Sequence, residues 1–153
     1  ICFWVDIETS ANNQRFVSKW TDTSGKKQYN VIFYDNDIRF VLSSDGDNNT
    51  AVAKSNAFST TGFHHVACVY NDTDLRIYVD GVLDSNGADN PLTYSSGIFD
   101  GSNEFCVGAW TEYGANGMDG LIDEVIVFDR ALSAVEVLGI YTDGIDRGKG
   151  GND

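Results

Sequence analysis

The chain has 153 residues and a mass of 16.7 kDa, the size of one domain with enough length to bury a proper core. Its formal charge of −13, from 10 Lys+Arg against 23 Asp+Glu, excludes a nucleic-acid phosphate backbone as a partner. No apolar run approaches the ~20 residues of a membrane-spanning helix, and three Cys cannot build a disulfide-rich scaffold.

Taken in order, the elements are strand upon strand. Ile1, Phe3, Val5 and Ile7 alternate onto one face of a first strand over 1–7, and a second runs over 15–20. Strands over 29–34 and 38–42 form a hairpin across Asp35-Asn36-Asp37, which has good turn chemistry. A polar loop over 43–50 leads to a weak strand over 51–54. The segment from Phe63 to Tyr70 is apolar at both parities and reads as a central strand buried on both faces. Leu75 to Val79 follows, and Asp80-Gly81 is the strongest hairpin signal in the chain. The stretch from Asp84 to Gly101 reads as a long loop, of a length often functional or mobile. Phe105 to Trp110 is the next strand, followed by a Gly-rich loop to Asp119.

The closing segment carries a strand that ends in Ile126-Val127-Phe128 and then one helix. Ser133 stands three residues before Glu136, the capping-box spacing, and Leu132 and Val137 stand where a hydrophobic staple needs them. The helix is expected to present Val135, Leu138 and Tyr141 on one stripe and to stop at Gly144. One Pro against 16 Gly suits an all-β chain. Residues 1–145 therefore read as one domain and 146–153 as a Gly-rich tail or linker. The chain opens in mid-strand without a Met, as a mature product or an excerpt of something longer would.

Three blocks of this sequence resemble the laminin-G-like jelly rolls of the concanavalin A-like group, which includes the pentraxins. The closing block is Gly120-Leu121-Ile122-Asp123-Glu124-Val125, continuing through Val127, Phe128, Leu132-Ser133, Glu136-Val137 and Ile140-Tyr141. The second is Phe63-His64-His65-Val66-Ala67-Cys68-Val69-Tyr70 with Arg76-Ile77-Tyr78-Val79-Asp80-Gly81. The third is the opening Cys2-Phe3-Trp4-Val5. The resemblance implies an antiparallel β-sandwich, a jelly roll with one short C-terminal helix. Members of the group usually carry one more strand before this opening strand; it is absent here, so either the excerpt starts late or the strand is supplied from elsewhere. Pentraxin-like members join the first strand to the central one by a disulfide; Cys2 matches one end, but Ala67 stands at the other and Cys68 lies one residue beyond, on the opposite face of the strand.

Several chemistries compete for the function. A glycosidase needs two carboxylates flanking the sugar bond, ~5.5 Å apart for retention. Laminarinase-type relatives carry them alternating on one strand, but here Trp4 replaces the first acid ahead of Asp6 and Glu8. His64 and His65 are adjacent on a strand, point to opposite faces and cannot share a metal. Calcium is the cofactor that the acidic loops and the resemblance admit. Asp45, Asp47 and Asn49 have the spacing of the first EF-loop ligands, although Gly at position six and Glu at position twelve are missing. The resemblance makes Asp123 a further calcium ligand. Sugar binding needs aromatic faces with polar neighbours. Trp110, Glu112 and Tyr113 are the leading ligand residues, at a strand end beside Gly108 and Gly114, with Trp20, Tyr29 and Tyr34 as further candidates.

The expected function is a non-catalytic recognition module of an extracellular, cell-surface or phage protein that binds a carbohydrate such as a cell-surface glycan, joined to other domains of a larger polypeptide. The alternative is a structural or protein-interaction module without a sugar ligand. The fold hosts both and cannot choose between them.

Overall fold

A computed structural model of the protein describes residues 1–11, 13–109 and 117–143. Among these the elements are β1 (Cys2–Ile7), β2 (Gln14–Trp20), β3 (Lys27–Tyr34), β4 (Asp37–Leu42), β5 (Ala51–Ala57), β6 (His64–Tyr70), β7 (Asp74–Val79), β8 (Val82–Leu83), β9 (Leu92–Thr93), β10 (Cys106–Val107), β11 (Gly120–Ile126) and α1 (Ala134–Asp143). Two antiparallel sheets result: β11-β1-β6-β7-β8, with β9 also on β7, and β10-β2-β3-β4-β5. This is the all-β sandwich that the sequence resemblance implies.

Alternation places Phe3, Val5 and Ile7 of the first sheet against Phe16, Val31, Phe33 and Phe40 of the second, all buried between them. Each such side chain contributes about 1.5–3 kcal/mol by leaving water. Strand β6 lies between β1 and β7 and is buried on both faces, as its double-parity apolar run predicts. Its Val66 and Cys68 face the core between the sheets. Its Ala67 and Val69 face outward into a second cluster with Cys2, Tyr78, Leu132 and Val137. Helix α1 thus covers the outer face of the first sheet.

The same parity settles the cysteines. Cys2 is in register with Ala67, and Cys2 and Cys68 belong to the two different clusters. Both thiols are free. Burial pushes the Cys68 thiol up to about 12.

The helix start follows its sequence. The Ser133 hydroxyl accepts from the Glu136 amide at 3.3 Å, and the Glu136 carboxylate accepts from the Ser133 amide at 2.8 Å. The buried stripe differs from the expected one. Val137 is fully buried and Ile140 packs beside it, whereas Val135 is 80% and Leu138 44% exposed. The staple between Leu132 and Val137 rotates the helix by about one position. Its end at Gly144 and the tail over 146–153 lie outside the described residues. Strand β11 stops at Ile126, so Val127 and Phe128 belong to the exit rather than the strand.

Both hairpin signals are realised. Asp35 and Asn36 have φ of 57° and 63°, and Asp80 and Gly81 have φ of 49° and 79°. The long stretch over 84–101 is not loose. Asn86 donates to the Ser55 carbonyl at 2.9 Å, Lys54 donates to the Asp89 carbonyl at 3.1 Å, and the Phe99 amide donates to the Ser43 carbonyl at 2.7 Å. It straps the first sheet to β5 of the second.

His65 gives the fold a pH dependence. Its ring lies 5.4 Å from Trp4 and 6.1 Å from Tyr141, and neither ring nitrogen has a hydrogen-bond partner among the described residues. Burial lowers its pKa, and the nearby Asp80 carboxylate offsets this in part. The folded protein therefore keeps His65 neutral, while the unfolded chain takes up a proton below pH ~6.5. The stabilisation is complete above ~6.5 and is lost as pH falls through the depressed folded value. The denaturation midpoint is expected to fall between pH 7 and pH 5, and His65→Phe, which cannot protonate, should flatten that slope. Carboxylates act in a lower window; Glu136, held down to about 2 by Arg130 and Ser133, is one of them.

Candidate functional site

The helix covers one sheet. Among the described residues no helix covers the outer face of the other, which forms a groove of about 240 Å³. With Val31 and Phe33 turned inward, alternation sends Asn30, Ile32 and Tyr34 of β3 outward. Neighbouring strands add Arg15 and Trp20 from β2, Arg39 and Val41 from β4, and Val52 from β5. Loop residues Asn13, Asp22 and Asn49 close the ends. A bulge at Phe16 lets both Phe16 and Val17 enter the core and brings Arg15 back to the outer face opposite Ile32.

The groove is polar and organised. The Arg39 guanidinium lies 4.3 Å over the Tyr34 ring, and its Nε donates to Asp37 Oδ1 at 2.7 Å. Arg15 donates to Asn13 Oδ1 at 2.9 Å. Burial lowers the Arg15 pKa and the Asp22 charge raises it again. Asn30 is 3% exposed, and its Oδ1 has no hydrogen-bond partner among the described residues. A buried acceptor without a donor costs ~1–3 kcal/mol.

Tyr34 is 39% exposed and is the accessible aromatic of this face. Trp20 lines the groove but is 3% exposed, so most of its surface packs rather than waits for a ligand. Tyr29 turns the other way and packs against the inter-sheet core. Trp110, Glu112 and Tyr113 lie outside the described residues. The segment leading to them runs along the β2 edge of the groove sheet, where the Gly108 amide donates to the Phe16 carbonyl at 2.8 Å and Ser18 donates to the Ala109 carbonyl at 3.3 Å.

The residues proposed for calcium are engaged in hydrogen bonds of their own. Asp45 Oδ1 accepts from Ser43 and from the Asp47 and Asn48 amides, and Oδ2 accepts from the Asn48 side chain. These donors, the Asn48 side chain foremost, lower the Asp45 pKa. Asp47 Oδ1 accepts from Ser24 and the Gly25 amide, both at 2.7 Å, and the Lys27 ammonium binds the Asp47 carbonyl at 2.8 Å. A cation would meet donors and a lysine where it needs free oxygens. Asn49 faces the groove instead. The sequence spacing is that of an Asx turn which pins the β4–β5 loop to the β2–β3 loop. Asp123 has a separate local role. Its Oδ1 accepts from the Glu124 amide at 2.7 Å, where Glu124 has φ of 49° and the register between β1 and β11 shifts. It caps a β-bulge. Among the described residues no group of three His, Cys, Asp or Glu side chains could hold a metal.

Asp6 and Glu8 lie on or beyond β1, in the sheet opposite the groove. Asp22 is the carboxylate among the described groove-lining residues. His64 and His65 face opposite sides, as adjacent strand residues must: His64 Nδ1 pairs with Asp80 Oδ2 at 2.8 Å, and His65 lies under the helix.

A larger opening of about 500 Å³ lies at one end of the sandwich, with Phe40, Leu42 and Cys68 in its floor. Asn71, Asp72, Asp129 and Arg130 line its rim, and none of the unpartnered buried polar atoms among the described residues belongs to its lining. The chemistry favours the smaller polar groove.

The comparisons agree with this architecture. No curated protein matches the sequence. A native heptameric SAP-like pentraxin from Limulus polyphemus superposes with a TM-score of 0.69 at 15% identity, over 94% of this chain and 70% of that one. The CBM40 of the Ruminococcus gnavus IT-sialidase, bound to α2,3 sialyllactose, gives 0.66 at 14% identity, over 92% and 80%. A putative carbohydrate binding protein from Bacteroides ovatus gives 0.65 at 14% identity, over 90% of this chain and 38% of that one. At these identities the likeness establishes the fold. The laminin-G-like family model, described as the concanavalin A-like lectin/glucanases superfamily, matches residues 1–138. With the two-sheet jelly roll and capped C-terminal helix, that match shows that this chain belongs to the laminin-G-like family of the concanavalin A-like lectin/glucanases superfamily.

Proposed function

We propose that the protein is a non-catalytic carbohydrate-recognition module whose glycan lies in the groove on the β2-β3-β4-β5 face. The observation that carries this reading is Asn30 Oδ1, buried without a donor among the described residues and lining the same groove as the Tyr34–Arg39 stack. A sugar hydroxyl can donate to Asn30 and accept from Arg39, while its C–H face packs on exposed Tyr34. The carbohydrate-binding neighbours support the reading, and an extracellular or cell-surface setting within a larger polypeptide accords with it. Affinity should be modest, on the order of 10 μM to 1 mM, because the groove is open and wet.

A structural role and a binding role for Asn30 make opposite predictions. A structural asparagine loses stability when truncated. Asn30→Ala here removes an unpaired acceptor, so the melting temperature should stay level or rise while glycan binding falls at least about tenfold. Tyr34→Ala should weaken binding about fivefold, from ~1 kcal/mol of lost stacking. Titration of both variants against the best array hit measures this. Trp110→Ala and Tyr113→Ala are the companion variants, since those residues with Glu112 form the proposed extension of the site. If binding survives Asn30→Ala and Tyr34→Ala but not the companions, the site is the 110–113 segment. The groove residues need no calcium, so chelator should leave binding unchanged; a chelator-dependent loss would point to an ion at Asp123.

A second reading, a protein-interaction module, is favoured by one patch. Val82 (65% exposed), Val135 (80%) and Leu138 (44%) line an apolar groove beside α1. Absence of any glycan hit would bring that reading forward.

A further inference from the structure

Resting on the glycan reading of the groove, we infer that it selects uncharged sugars and turns away carboxylated and sulphated ones, because the cations that β4 and β5 present on this sheet face, Arg39 and Lys54, are each already paired with an aspartate. Register sets the cations in one row across four strands. Arg15 stands opposite Ile32, Ile32 opposite Arg39, and Arg39 opposite Lys54. Such a row would ordinarily be an anion platform, since guanidinium groups favour carboxylates and sulphates.

Here Arg39 and Lys54 are each paired with an aspartate, and Asp22 stands near Arg15. Asp37 takes Arg39 Nε at 2.7 Å and Nη2 at 3.5 Å, with the Asp35 carboxylate a further 3.8 Å contact. Asp89 lies 3.6 Å from Lys54 Nζ. Asp22 lines the groove with Arg15 and acts on its charge. An anionic ligand would have to displace Asp37 from a short, half-buried ion pair and enter the field of a chain with a formal charge of −13. A neutral ligand needs neither. The Arg39 guanidinium and the Asn30 carboxamide line the same groove and are the donor and acceptor types that sugar hydroxyls match. Asp37 is therefore a specificity residue: it holds Arg39 in place over Tyr34 and removes its net charge.

The test uses matched probes: galactotetraose with tetragalacturonate, and lactose with 3′-sialyllactose. Wild type should bind a neutral member at least about tenfold more tightly than its carboxylated counterpart. Asp37→Asn should uncover Arg39, raise affinity for the carboxylated member about tenfold, and lose that gain in 0.5 M salt. Asp22→Asn should act in the same direction through Arg15 and carries the test if Asp37→Asn fails to fold. Wild-type preference for a carboxylated probe, abolished by Asn30→Ala, would overturn this inference and leave the groove reading standing. So would folded Asp37→Asn and Asp22→Asn proteins with unchanged preference. If no probe binds, or binding ignores Asn30→Ala and Tyr34→Ala, the groove reading falls and the inference falls with it.

Discussion

Gly120→Ala is expected to lower the melting temperature by about 10 °C or to prevent folding, at a cost above about 3 kcal/mol. Gly120 has φ of 143°, a region favouring glycine, and opens β11 opposite Ile7. A Cβ there would clash with the Asp6 carbonyl oxygen and would sit 3.1 Å from both Asp6 C and Glu8 N. All three are backbone atoms of the partner strand, so no side chain can swing away. Relief requires β11 to part from β1, which breaks the ladder and exposes Ile122 and Val125 where they pack on the core. Gly62→Ala is the control: it also has positive φ, 77°, but nothing lies within 4 Å of its added carbon. It should cost only about 1 kcal/mol. Equal effects from the two substitutions would mean that the tight backbone approach contributes nothing. Because β11 belongs to the sheet opposite the groove, whatever fraction of Gly120→Ala folds should keep its ligand affinity.

Glycine 120 shows which parts of this molecule a sequence can reveal. Its place in the closing motif is visible from the residues that follow it. The reason glycine is needed depends on a strand more than 100 residues earlier in the chain. Local rules read well throughout: alternation located the long strands, Asp-Gly and Asp-Asn located the hairpins, and Ser133 with Glu136 located the helix start. The groove could not be read this way. Asn30, Arg39 and Arg15 meet through strand register, and a bulge at Phe16 decides which face Arg15 takes. Local pattern is ambiguous in the acidic loop, where the spacing of Asp45, Asp47 and Asn49 is shared by calcium loops and Asx turns. What separates them is the direction of the neighbouring amides and of Lys27. Trp20 and Tyr34 look alike in sequence; only packing makes one buried and the other accessible.

The second large effect is expected at Asn90, which is fully buried. Strand β7 pairs with β8 at Tyr78 and Val79 and with β9 at Asp74 and Leu75. Ile77 falls in the gap between them. The Asn90 carboxamide fills that gap: its Oδ1 accepts from the Ile77 amide at 2.9 Å and its Nδ2 donates to the Ile77 carbonyl at 2.9 Å, so one side chain stands in for a peptide unit of a missing strand. The same Nδ2 donates to the Asp84 carbonyl at 2.5 Å. Asn90→Ala takes the partner from the buried Ile77 amide and a donor from the Ile77 and Asp84 carbonyls, while the Asp84 amide still donates to the Ile77 carbonyl at 3.0 Å, for an expected loss of about 2–4 kcal/mol. Asn90→Asp is the sharper variant, because it keeps an acceptor for the Ile77 amide but sets a carboxylate against two carbonyl oxygens. Its folded pKa should rise above the ordinary ~3.9, since only the protonated acid can donate. The variant should therefore be least stable at pH 7 and regain stability relative to wild type as pH falls through that raised value. Urea melts at pH 7 and pH 4.5 measure this. A deficit of Asn90→Asp that is the same at both pH values would show that the carboxamide is not the strand's hydrogen-bond partner. The consequence should reach the glycan face as well. Asn90 anchors the 84–91 segment to the first sheet, and Asn86 and Asp89 of that segment hold Lys54 and Ser55 of β5, one wall of the groove. Loss of Asn90 should then weaken glycan binding even where the protein remains folded, without any change in a residue that touches the ligand.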